Sequence, residues 1–386
     1  MALGPRRIGI NALFLEPGMG GLETYVRELA PRLARQASGS QVTLVCNEKG
    51  KRLLAAEPWA SEVKIEVPPL FGKQGLRAIS ELTALGAYAS RHFDVLLNVA
   101  LTAPLRTRAA NVVLLADVTW LKFTDLEDGN RVTTRLWGRI VPPVARRADR
   151  LIALTQSGAD DIAQLLRVDP AKIDVIGLGF DAERRAAAAP ADELRARLGL
   201  GPGPVILNVA AKKAHKNLMR LVEALAVLRG RVPAAQLVLP GAPTAYEDAL
   251  RSRAQELGIA DAVAFPGYVS DADLEGLYAI ADCFAFPSSN EGFGLPLLEA
   301  MARDVPVVCA DASALPEVVG DAALLVDPDS TAALAGAIGD VLSDPELRAR
   351  LIAAGRERLP LFTWDRCATE TLETLDRAVA QRAAGS

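Results

Sequence analysis

The sequence predicts an α/β protein built of two parallel-sheet domains, and three observations predict it. Strand-like apolar runs and helix-like periodic runs alternate along all 386 residues, the pattern of parallel strands joined by helical crossovers. The alternation pauses in a polar, alanine-rich stretch, Asp181 to Pro190, and restarts at Val205. In each half a strand leads into a loop rich in ligand-binding potential, glycine-rich in the first and lysine-rich in the second. Two Rossmann-like domains facing each other are expected. Ligands in such sheets bind outside the carboxyl ends of the strands, which places the site in the cleft between the domains. The expected segments are 1–182, 183–362 and a last helical segment, 363–386.

Composition narrows the function. Half the residues are apolar and 23% are charged, as in a globular protein. A formal net charge of −4 argues against general nucleic-acid binding. Cys46, Cys283, Cys309 and Cys367 are far apart and sit mostly in apolar runs, so they read as buried thiols without a disulfide or metal framework. No apolar run reaches the roughly 20 residues needed to span a bilayer, and the start has no signal-peptide pattern. A cytoplasmic protein is expected. With only two histidines, His92 and His215, neither a His-rich metal site nor a His-based triad is expected.

In the first half, strands are expected at Arg7–Leu15, Gln41–Cys46, Val63–Val67, Phe93–Val99, Asn111–Ala116, Leu151–Leu154 and Lys172–Ile176. Glu23–Arg35 is helical, with Tyr25, Val26, Leu29 and Leu33 on one face. Leu76–Arg91 and Ser157–Leu166 are helical as well, the second with Ser157 as its N-cap. Arg131–Arg147 is a long basic helix that Pro142 and Pro143 should kink or split.

The second half repeats the pattern, with strands at Val205–Val209, Gln236–Leu239, Ala262–Phe265, Asp282–Phe286, Val305–Cys309 and Ala322–Val326. Helices are expected at Asn217–Arg229, Tyr246–Leu257, Asp271–Ile280, Thr331–Leu342, Pro345–Leu359 and Asp365–Arg382.

The most informative stretch is Asp282 to Met301. A buried strand ends at Pro287, a polar loop runs through Glu291-Gly292-Phe293-Gly294, and Pro296 fits the first turn of the helix that follows. Backbone N–H groups at the strand edge and the positive end of the helix dipole suit a phosphate. Glu291 and Glu299 are pure acceptors, suited to sugar or ribose hydroxyls. Glu, seven residues, Glu, with Gly-Phe-Gly between them, resembles the signature of retaining glycosyltransferases of family 4 (glycosyl transferases group 1), which have the GT-B fold. The resemblance covers essentially the whole chain and is strongest from Val205 to Pro328.

That resemblance implies a nucleotide diphosphate sugar as donor, GDP-mannose or a UDP-sugar, held by the second domain, with no further cofactor and no metal. The hexose would pass to a hydroxyl of a glycan or lipid-linked acceptor, in polysaccharide or glycoconjugate synthesis. Glu291 would orient the sugar hydroxyls and Glu299 the ribose diol. Lys216, Gly292, Phe293, Gly294 and the helix start at Leu295 would hold the diphosphate. Tyr268 and Val269 resemble the segment lining the base. Gly20 and Gly21 resemble the family's Gly-Gly loop, which shapes the acceptor side of the first domain, and the last helix would cross back to that domain.

Two departures stand out. Where many relatives have Gly-Arg at the second domain's first strand, this chain has Ala210-Ala211, leaving Lys212 or Lys213 to supply the second positive charge. Where many have His-Asp, it has Ala116-Asp117, so Asp117 remains the candidate at that catalytic position. These departures keep a second reading open, a non-catalytic GT-B subunit that binds nucleotide. Asp271 and Asp273 begin a helix, where acids are common caps, and no metal site is assigned to them. Arg135, Arg139, Arg146, Arg147 and Arg150, with Leu136 and Trp137, suggest a surface for anionic lipid and peripheral contact with the inner membrane face.

Overall fold

The structure is a computed structural model and describes residues 5–18, 20–69, 77–122, 131–183 and 185–384. These divide into two compact units, one holding 5–121, 131–179 and 362–384, the other holding 180–361.

The first unit contains a seven-stranded sheet: β1 (Arg7–Ala12), β2 (Gln41–Cys46), β3 (Lys64–Glu66), β4 (Val95–Asn98), β5 (Ala110–Leu114), β6 (Arg150–Ala153) and β7 (Ile173–Val175). Its order is β3-β2-β1-β4-β5-β6-β7, and all pairs are parallel. The second unit contains β8 (Val205–Leu207), β9 (Gln236–Val238), β10 (Val263–Ala264), β11 (Cys283–Phe286), β12 (Val307–Ala310) and β13 (Ala323–Val326). Here the order is β10-β9-β8-β11-β12-β13, again all parallel. Each sheet reverses its strand order once, at β1/β4 and at β8/β11. Loops leaving those strand ends diverge and open a crevice there.

Every residue of β4, β5, β11 and β12 is buried. Helices cover both faces of such strands, so they read as continuous apolar runs rather than alternating ones. All four cysteines are free and buried, and burial pushes the Cys46 thiol up to about 12.

The last helix, Trp364–Ala384, belongs to the first unit. Gln36 Nε2 donates to Asp365 O at 3.2 Å, and Thr369 Oγ1 to Gln36 Oε1 at 3.0 Å. The Tyr25 and Trp364 rings meet edge-on, 6.0 Å between centroids. Gly179 must be glycine, because a Cβ there would lie 2.3 Å from the Trp364 ring.

Several local expectations change. Thr155, not Ser157, caps the helix Gln156–Leu166, its hydroxyl accepting from Gly158 N. Arg131–Arg147 is one unbroken helix despite its two prolines. Val141, Val144 and Ala145 are buried in the core, and that packing outweighs the missing donors. The helix expected over Leu76–Arg91 is two, Arg77–Leu82 and Ala84–His92, and Leu76 lies outside the described residues. The Thr83 hydroxyl donates to Ile79 O at 2.6 Å, competing with the helical ladder at the break. The helices Glu48–Ala55 and Ala191–Leu198 were not expected. Among the described residues no helix is long and apolar enough to cross a membrane.

Candidate functional site

At the reversal of the second sheet, loops 208–217 and 287–294 leave neighbouring strands at the same edge. Asn208 Nδ2 donates to Ala285 O at 2.7 Å and ties the strand ends together. The loop after β8 forms a tight turn, Ala214–Lys216, and Asn217 follows with φ 57°. Asn217 Nδ2 donates to Pro328 O at 2.7 Å. From the other loop, Ser289 N and Oγ both donate to His215 O, at 2.9 and 3.0 Å. The two loops are thus laced together, and their charged residues meet. Lys216 Nζ donates to Glu291 Oε1 at 2.7 Å and Oε2 at 2.8 Å. Their side chains are only 17% and 12% exposed, so solvent weakens this pair less than a surface one.

The Glu291 backbone is clamped from a third loop. Its N–H donates to Ser313 Oγ at 3.2 Å, and Ser313 Oγ donates to Glu291 O at 2.8 Å. Ser313 follows β12 and has φ 56°. Ser289 and Ser313 are supports that sequence reasoning missed. Ser289 lay within a recognised loop, but nothing in the sequence around Ser313 marks it.

Gly294 has φ 121° and caps the helix Leu295–Ala302, with Pro296 in its first turn. A glycine cap brings no side-chain acceptor, so the positive end of the helix stays available to an anion. Gly292 and Leu295 are half-buried, whereas the Phe293 side chain is buried, leaving its backbone as the group that can serve a ligand.

Glu299 lies one turn into the same helix and is half-buried. Its Oε2 accepts from Tyr278 OH at 2.9 Å. Burial is the largest influence on this carboxyl and lifts it above the usual glutamate range. Tyr278 and Arg303 pull it partly back, and Glu275 adds to the rise. Arg303 donates to Glu299 O at 2.9 Å and stacks over the Tyr278 ring.

Lys212 takes a different place from the one expected of a phosphate ligand. It is fully buried, with Nζ donating to Gly241 O at 2.7 Å and lying 3.1 Å from Glu247 Oε2. Its charge is committed inside the fold, while Lys213 is exposed. Tyr268 is 86% exposed. With Val269 it lines a groove of about 520 Å3 that also includes Leu194, Arg197, Pro266 and Asp273. Ser270 caps the helix beginning at Asp271, and Asp273 pairs with Arg197. Among the described residues no group of three or more His, Cys, Asp or Glu could hold a metal ion.

In the first unit, Gly20 (φ 64°) caps the helix Gly21–Gln36, and a Cβ on Gly20 or Gly21 would meet nothing within 4 Å. Met19 between Gly18 and Gly20 lies outside the described residues. Asp117 follows β5, and its Oδ1 accepts from Thr119 N at 3.0 Å. Gly20, Gly21 and Asp117 lie past the carboxyl ends of β1 and β5, with β4 between those strands. The expected basic surface shrinks. Arg150 pairs with Asp174 at 2.6 Å, Arg146 Nε donates to Leu166 O at 2.9 Å, and Trp137 packs on the core. Arg135, Leu136, Arg139 and Arg147 are exposed.

The chain matches the family model described as Glycosyltransferase Family 4 over residues 19–184 and that described as Glycosyl transferases group 1 over residues 191–358. It is 31% identical to a D-inositol 3-phosphate glycosyltransferase of Kineococcus radiotolerans, across 96% of this chain and 94% of that protein. It is 39% identical to the O-antigen chain mannosyltransferase B of Escherichia coli, across 43% of this chain and 44% of that one. The structure of Anabaena HepE in complex with UDP superposes with a TM-score of 0.74 at 22% identity, covering 96% of this chain and 99% of HepE. With two doubly wound parallel sheets and this full-length likeness, the chain belongs to family 4 of the glycosyltransferases and has their GT-B fold.

Proposed function

We propose that the protein is a retaining, metal-independent hexosyltransferase. Its donor is a nucleotide diphosphate sugar, GDP-mannose or a UDP-sugar, and its acceptor is a hydroxyl of a glycan or a lipid-linked saccharide. The observation that carries this reading is the Lys216–Glu291 pair beside the open start of the helix Leu295–Ala302. It sets a cation and helix-end N–H groups next to a hydrogen-bond acceptor, which is what a sugar diphosphate requires.

In this reading the bond from the anomeric carbon to the β-phosphate oxygen breaks, and negative charge grows on the leaving phosphate. Lys216 and the backbone N–H groups near Phe293, Gly294 and Leu295 stabilise that charge. Glu291 keeps Lys216 in place and accepts from the sugar hydroxyls. The free Oε1 of Glu299 accepts from the ribose diol. The acceptor hydroxyl attacks from the same face and gives its proton to the leaving phosphate, so no protein base is needed. Tyr268 and Val269 serve the base, while Gly20, Gly21 and Asp117 serve the acceptor. Positive charge comes from Lys216 and the helix end, so activity should survive chelation of divalent ions.

The E. coli relative's name favours mannosyl transfer and the HepE complex favours uridine. A thermal-shift screen against UDP, GDP, ADP and dTDP with their sugar conjugates separates them, since a ligand of the native state raises Tm. A shift with one base names the donor class. No shift at millimolar concentration would count against the donor site and favour a subunit without transferase activity, the reading to which Ala116 and the buried Lys212 lend weight.

A further inference from the structure

The opposite edge of the first sheet, where β5 and β6 begin, carries a second concentration of charge that the transfer reaction does not use. Two adjoining cavities lie there, of about 430 and 340 Å3, and both are lined by Arg106 and Thr107. Arg108 lines the first, Arg147 and Arg382 line the second, and no carboxylate lines either.

The arginines are held firmly. Gly86 lets the Arg106 carbonyl approach, since a Cβ at Gly86 would lie 2.0 Å from that oxygen. Arg108 N donates to Ser90 Oγ at 2.8 Å, and the Ser90 hydroxyl donates to Gly86 O at 2.6 Å. Arg382 Nη1 pairs with Asp149 Oδ2 at 2.5 Å, and its Nη2 donates to Thr107 O. The backbone that presents these guanidinium groups is therefore fixed from two sides.

Other arginines of this unit have carboxylate partners: Arg7 pairs with Asp94, Arg27 with Glu23, Arg35 with Glu62 and Arg150 with Asp174. Among the described residues, the guanidinium groups of Arg106, Arg108 and Arg147 have neither a hydrogen bond nor an ion pair. Asp149 offsets one charge of the four. Three unpaired cations around two joined cavities remain, in a chain whose net charge is −4. Planar guanidinium forks match phosphate oxygens two at a time, which a solvated lysine patch would not do.

We propose that Arg106, Arg108, Arg147 and Arg382 form a site for a ligand carrying two or more phosphate groups, one seated in each cavity, apart from the sugar-donor site. The phosphates can belong to a soluble compound or to lipid headgroups, and the test separates the two.

Binding of inorganic tripolyphosphate to the full chain is measured by calorimetry. Cosedimentation is measured with vesicles of phosphatidylglycerol and, as a control, phosphatidylcholine. The proteins are the wild type, an Arg106→Ala/Arg147→Ala double variant and Lys216→Ala. In the soluble case the double variant binds tripolyphosphate at least about tenfold more weakly, as expected for two lost charge-assisted contacts, and Lys216→Ala binds it as the wild type does. In the lipid case the double variant loses cosedimentation with phosphatidylglycerol and Lys216→Ala keeps it. If the double variant is unstable, Arg108→Gln replaces it with the same expectation. The proposal is overturned if the wild type binds neither probe, if the arginine variants bind as the wild type does, or if the loss follows Lys216→Ala instead.

Discussion

Lys216 holds both carboxylate oxygens of Glu291, at 2.7 and 2.8 Å, across two loops that start from neighbouring strands. The serines at 289 and 313 fix the backbone on either side of this contact. The ammonium is thus positioned before any donor arrives, and little ordering is left to be done at the moment of reaction.

Lys216→Ala should therefore cost turnover more than stability. Loss of a preorganised charge opposite a developing anion typically lowers kcat by about 100- to 1000-fold. The pair is partly exposed, so Tm should change little. A kcat within about threefold of wild type, measured with the donor identified in the melt screen, would remove Lys216 from the role of leaving-group partner.

Lys212→Met should show the reverse. The buried ammonium sits against Glu247 and Gly241 O, so its loss leaves a buried carboxylate and a buried carbonyl short of a donor. Arg251 still reaches Glu247 at 2.7 Å, which puts the cost near the lower end for a broken buried pair, about 3 kcal/mol. Urea unfolding measures this directly. A variant as stable as wild type but unable to bind donor would return Lys212 to the phosphate site.

The contrast between these two lysines shows what the sequence could carry. Both lie in one loop after one strand, and local pattern gives them equal standing. Their roles divide only when the helix beginning at Ala245 brings Glu247 to one and the loop after β11 brings Glu291 to the other. Elements governed by local chemistry were legible: Pro296 in a first helical turn, Glu291 in a loop, the apolar runs of β11 and β12. Features decided by packing were not, including the unbroken helix through Pro142 and Pro143 and the clamp from Ser313.

Gly294→Ala should damage both stability and transfer. Its φ of 121° is costly for any residue with a Cβ, and that Cβ would press on Leu297 Cδ1 at 3.1 Å and Leu315 Cδ2 at 3.2 Å. A cost of about 1–3 kcal/mol is expected from the backbone alone. If the helix start moves to relieve it, kcat falls as well. Unchanged denaturation midpoint and unchanged kcat together would show that the loop tolerates a side chain there.

The last expectation concerns pH and rests on Glu299, whose carboxyl burial raises above the ordinary range of about 4.3. A ribose diol needs an acceptor, and the carboxylate supplies it only above the raised pKa. Nucleotide affinity should therefore be full in neutral solution and fall as pH drops through mildly acid values, earlier than an ordinary glutamate would allow. Glu299→Gln keeps an acceptor oxygen but loses the charge, so its affinity should be lower at neutral pH and nearly flat with pH. Stability runs the other way. The folded state holds this proton more tightly than the unfolded chain, so the wild type loses stability as pH rises from the unfolded pKa through the raised one. Glutamine carries no such charge, and Glu299→Gln should melt no lower than wild type at neutral pH. Nucleotide dissociation constants and melting curves taken together between about pH 5 and pH 7.5 test both halves. A variant whose affinity keeps the wild-type pH dependence would show that another group reads the ribose.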